Sequence, residues 1–92
     1  MKNNKYEKKI DDEIDLHGYF VDEAIRLLYD FIEQSKKKGF KTIRVITGKG
    51  NHSQDGQSPL RDAAIAYLGD KYEWVFDKSS IGPNSGALII KI

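Results

Sequence analysis

Ile14 and Leu16 alternate with Asp15 and His17, the period-two pattern of a short strand with one apolar and one polar face, and Gly18 breaks it. Over residues 20–38 the period lengthens. Val21, Ala24, Ile25, Leu28, Phe31, Ile32 and Ser35 fall on one stripe of a helix. Asp22 and Glu23 sit in its first turn, Lys36 to Lys38 in its last, and Gly39 follows, all of which favour the helix ends. A good N-cap is missing, because Tyr19 and Phe20 cannot accept the orphan N–H bonds as Ser or Asp would.

The β-branched run Thr42-Ile43-Arg44-Val45-Ile46-Thr47 reads as a second strand. A long polar stretch over 48–57 leads to Ser58-Pro59, an N-cap followed by proline at the first helical position. Leu60, Ala63, Ala64, Tyr67 and Leu68 share one face of that helix, which Gly69 ends. Residues 72–76 form a third strand with Trp74 and Phe76 on one side, and residues 87–92 a fourth after a turn cluster. The predicted order is β-α-β-α-β-β. Two helical crossovers imply a parallel start to the sheet, and the short last connection implies a fourth strand antiparallel to the third. The fold class is therefore α/β, a two-layer sandwich with a four-stranded mixed sheet. Its predicted core holds Ile14, Leu16, Ile25, Leu28, Ile32, Val45, Leu68, Trp74 and Leu88.

With 92 residues, 39% of them hydrophobic and 32% charged, the chain has room for one core. Residues 1–12 are read as a polar, lysine-rich tail and 13–92 as the domain. No apolar run approaches a membrane span, so no membrane partner is expected. There is no cysteine, which excludes a disulfide framework and fits a cytoplasmic location. A net charge of +1 means that any anion-binding surface comes from local arrangement.

In a sheet that starts parallel, the carboxyl ends of the strands share the edge where ligands bind. Asp15-Leu16-His17-Gly18 and Thr47-Gly48-Lys49-Gly50-Asn51-His52 both lie there. Alternation puts Asp15 and His17 on one face, where a carboxylate can orient an imidazole and set its tautomer. The same pair also suits a histidine that closes a turn beside an exposed aspartate. Gly48 and Gly50 flanking Lys49 suit close approach of the backbone to an anion, or else a flexible turn. The loop is neither a Walker A motif nor a dinucleotide fingerprint: Ile43 stands five before Gly48, and Ser53 where a third glycine belongs. Arg61, at the third position of the second helix, breaks the rule that favours acids there. A phosphate at the helix start would account for it, as would chance surface placement.

In series, Asp15-Leu16-His17-Gly18, Thr47-Gly48-Lys49-Gly50 with His52-Ser53, Gly56-x-Ser58-x-Leu60-Arg61 and Gly86-Ala87-Leu88 resemble the Smr (small MutS-related) domain over about 13–92. The resemblance implies a fold like the C-terminal domain of translation initiation factor three, with both helices on one sheet face. It implies nucleic-acid binding, to DNA or RNA, and in several members endonuclease activity. Asp15 and His17 take the places of the family's first motif, and residues 47–50 those of its TGxG loop. The chain departs from the family at Pro83-Asn84-Ser85-Gly86, where Gly-Gly is common, and at Tyr19-Phe20, where a small or polar residue often opens the helix.

The function expected is sequence-tolerant nucleic-acid binding with phosphodiester cleavage. Thr47, Gly48, Lys49, Gly50, Asn51, Ser53 and Arg61 are the candidate nucleic-acid contacts, with Lys41 and Arg44 nearby. His17, oriented by Asp15, is the candidate general base or acid, and His52 its partner. With RNA the 2′-OH is an internal nucleophile. With DNA an external water calls for a divalent metal such as Mg2+, and Asp15 is then the first choice of ligand. The runner-up is a binding module without chemistry, within a larger MutS-like or ribosome-associated protein. A third reading makes Tyr19 and Phe20 anchors for a protein partner. The isolated domain is expected to be monomeric.

Overall fold

Two β-branched segments meet in the middle of the sheet, and the rest of the chain is arranged around them. The computed structural model describes residues 9–48, 59–77 and 86–92. In order these form β1 (Asp12–Asp15), α1 (Val21–Lys37), β2 (Thr42–Ile46), α2 (Pro59–Leu68), β3 (Glu73–Phe76) and β4 (Ala87–Lys91). The sheet order is β1-β2-β4-β3. β1 and β2 are parallel, and β4 runs antiparallel to both β2 and β3. Mixed topology and element order both agree with the sequence. None of the helices among the described residues is long and apolar enough to cross a membrane.

Register sets the faces. Ile14 pairs with Val45, Val45 with Leu88, and Ile43 with Ile90, so these side chains share one side of the sheet. Ala24, Leu28 and Ile32 of α1 and Leu60, Ala64 and Leu68 of α2 join Ile43, Val45, Leu88 and Ile90 in one buried cluster. Both helices therefore cover the same face. Ile43 and Ile90, absent from the predicted core, are fully buried because they lie on the two central strands. Ile14 and Trp74, on the edge strands, and Ile25, on the flank of α1, are only partly buried against the cluster. Val21 leaves the predicted stripe altogether and is exposed. Phe76 meets Trp74 edge to face at 5.3 Å yet stays exposed at the sheet's rim.

The two ends of α1 differ in how well they are closed. At the C-terminus Gly39, at φ +80°, donates to the carbonyl of Lys36, and Phe40 donates to that of Ser35. This is a complete Schellman closure. At the N-terminus Phe20 takes the capping position with no side-chain hydrogen bond. A Ser or Asp there would add about 1 kcal/mol.

Candidate nucleic-acid interface

Three backbone segments are tied together at the end of the sheet where β1 and β2 finish and β4 begins. The Leu16 N–H donates to the carbonyl of Ile46 at 2.7 Å, and the N–H groups of Thr47 and Gly48 donate to that of Gly86 at 2.8 and 3.0 Å. Leu16, fully buried, anchors this corner in the core just past the last residue of β1. Its neighbours on either side, Asp15 and His17, are thereby held outward.

The Asp15 carboxylate organises the turn. One oxygen, Oδ1, lies 2.7 Å from His17 Nδ1 and accepts the His17 backbone N–H at 3.0 Å. The hydrogen bond from the His17 ring holds the Asp15 carboxyl below the usual carboxylate range. Asp15 is therefore ionised at neutral pH and acts as acceptor, so Nδ1 carries the proton, and the tautomer this selects has its lone pair on Nε2. The ring is well exposed, at 68%.

Gly48 packs directly behind it. Its φ is +90°, and a Cβ built there would come within 3.3 Å of His17 Cβ. The absence of a side chain at position 48 thus lets the second motif lie against the first. Thr47 is buried, with its hydroxyl facing the carbonyl oxygens of Gly48 and Gly86 at 3.4 and 3.5 Å. It frames the corner and does not face solvent.

Arg61 is the third residue of α2 and is half-buried. Four residues separate α2 from β3, which starts at the far end of the sheet beside Lys91. The ten residues of α2 span about 15 Å and so return its first turn toward the His17 end. Lys49, Gly50, Asn51, His52 and Ser53 lie outside the described residues. Lys41 and Arg44 do not join the site. Lys41 precedes β2 at the opposite end, where its N–H bonds Asp11. Arg44 lies on the helix-free face between Glu13, at 3.2 Å, and the buried Asp77, at 2.6 Å. Among the described residues no three His, Cys, Asp or Glu side chains converge.

Sequence reasoning put Asp15 and His17 on one face, and the structure joins them. It also read Tyr19 and Phe20 as exposed, and they are. Tyr19 is 47% and Phe20 81% accessible.

A family model described as the Smr domain matches residues 14–92. The chain is 40% identical over 57 residues to an Smr domain-containing protein of Schizosaccharomyces pombe, covering 62% of this chain and 28% of that protein. It is 43% identical over 49 residues to endonuclease NBR9 of Saccharomyces cerevisiae, covering 53% of this chain and 20% of that one. The chain thus spans less than a third of either curated relative. The crystal structure of the human small-MutS related domain superposes with a TM-score of 0.64 at 34% identity, over 86% of this chain and 98% of that one.

Proposed function

The chain belongs to the Smr domain family, and from that premise we propose that it binds nucleic acid and cleaves phosphodiester bonds at the His17 corner. The observation that carries this reading is the 2.7 Å contact that engages Nδ1 of an exposed imidazole and leaves Nε2 outside it. The name of the yeast relative, an endonuclease, supports it.

In the proposed reaction His17 Nε2 is the general base. On RNA it takes the proton of the 2′-OH as that oxygen attacks the adjacent phosphorus, and the 5′-oxygen leaves with a proton from an acid. His52 is the proposed acid, with Lys49, the 48–51 amides and Arg61 as phosphate contacts. Asp15 fixes the tautomer and stabilises the imidazolium that forms. The test incubates the protein with labelled single- and double-stranded DNA and RNA, with and without EDTA, beside His17→Ala. Cleavage by the native chain that drops in the variant at unchanged melting temperature supports the reading. Cleavage that survives His17→Ala rejects it, and binding without cleavage leaves a binding module.

A further inference from the structure

Immediately after His17 the chain presents three apolar side chains to water in a row. Tyr19 is 47%, Phe20 81% and Val21 40% exposed. Gly18, at φ +90°, and the Tyr19 N–H bonded to the Leu16 carbonyl at 3.2 Å turn them out beside the imidazole. Phe20 lies three residues from His17, so their Cα atoms are separated by at most about 11 Å. Among the described residues nothing uses the Phe20 ring: it caps no amide, and it takes no part in the buried cluster.

The charge around the ring narrows what could cover it. Asp22 and Glu23 follow in the first turn of α1, where they repel phosphate and occupy the amides an anion would seek. The Asp22 carboxylate already accepts the Glu23 N–H at 2.9 Å. A nucleic acid meeting this flank therefore offers it a base rather than its backbone. A flat aromatic face next to a cleaving group is the arrangement on which an unpaired base stacks. Bases within a duplex have their faces covered by their neighbours.

We infer that Phe20, flanked by Tyr19, is a stacking platform that holds an unpaired base beside His17 and makes the domain prefer single-stranded substrate. The inference rests on the nucleic-acid reading of the same corner. Phe20 is a specificity-determining residue in this account, while His17 remains the catalytic one.

Anisotropy titrations of labelled single-stranded and duplex oligonucleotides with the whole chain test it, with melting curves recorded for every variant. Phe20→Ala is expected to weaken single-strand binding by about 5- to 150-fold, the worth of one stacked base, and to leave duplex binding within about two-fold. Phe20→Leu, which keeps the apolar bulk without the ring, behaves like Phe20→Ala, and Phe20→Trp restores binding. The slope of log K against log salt stays the same, because no phosphate contact is lost. An abasic site at the stacked position costs the native chain affinity and costs Phe20→Ala none. Single-strand binding that survives Phe20→Ala or Phe20→Leu overturns the inference and leaves nucleic-acid binding intact, as does an equal loss on duplex. A native chain that binds no oligonucleotide overturns both, and the patch then belongs to a protein partner.

Discussion

At the end of the sheet where β2 begins, Asp11 accepts the N–H groups of Lys41 and Thr42 at 2.8 and 3.1 Å, and Ile92 donates to the Lys41 carbonyl at 2.9 Å. The nearby end of α1 is closed by Gly39. These polar contacts all serve the backbone. At the other end, where β2 finishes, Asp15 engages the ring of an exposed histidine. The start of α1 carries an aromatic residue where a cap belongs. Both ends have the same task of joining strands to a helix. Local rules explain the first end fully and fail at the second, and such failures are expected where a site has been built into a fold.

That contrast is broken most directly at His17. His17→Ala is expected to cut cleavage by about 100-fold or more, the range for losing a general base. Its melting temperature stays close to native, since exposed substitutions usually fall within about 0.5 kcal/mol. Rate and melting temperature measured on one preparation decide it. A pair of glycines comes next. Gly39 and Gly48 both have positive φ, so alanine at either costs about 1–2 kcal/mol of backbone strain. That lowers the melting temperature by roughly 4–16 °C in a domain of this size. At position 39 the added Cβ meets nothing within 4 Å, while at 48 it meets His17 Cβ at 3.3 Å. Gly39→Ala therefore keeps its specific activity, and Gly48→Ala loses activity as well as stability. Equal activities in the two variants would remove Gly48 from the site.

The uncapped helix gives a prediction of opposite sign. Phe20→Ser supplies the missing acceptor and is expected to raise the melting temperature, by about 1 kcal/mol of stability, while weakening single-strand binding. Stability gained with binding unchanged would make the aromatic cap an accident. The same residue marks how much was legible beforehand. Periodicity and end signals located all six elements, because Pro59, Gly39 and Gly69 act locally and the apolar stripes are regular. Strand alternation put Asp15 and His17 on one face, but β1 ends at Asp15 and the contact is made across the turn that follows. The standing of Ile43 and Ile90 was not legible, since which strands are central depends on pairing between distant segments. Nor was the loss of Arg44 to Glu13 and Asp77, which come from β1 and from the residue just after β3. Charge in a sequence shows a side chain's sign and not the partner it will meet.

The smallest effect separates the two ends by acid titration. Asp11 and Asp15 both have carboxyl pKa values below the ordinary one. The cause for Asp11 is the backbone N–H of Lys41, then that of Thr42. For Asp15 it is chiefly the side chain of His17. A carboxyl with a depressed folded-state pKa favours the native state above the unfolded value, about 3.9. That contribution disappears as the pH falls through the lower folded value. Melting curves from pH 6 down to about pH 2 therefore contain a loss from each group. Asp11→Asn removes one portion of the acid loss and leaves neutral-pH cleavage intact, because Asp11 touches only backbone. His17→Ala removes most of the Asp15 portion without changing that of Asp11, because the ring is the main source of the Asp15 shift and only the backbone N–H of residue 17 remains. If His17→Ala leaves the acid limb of the curve unaltered, the ring and the carboxylate are not coupled in solution. The tautomer assigned to His17, and with it the choice of Nε2 as base, then loses its support.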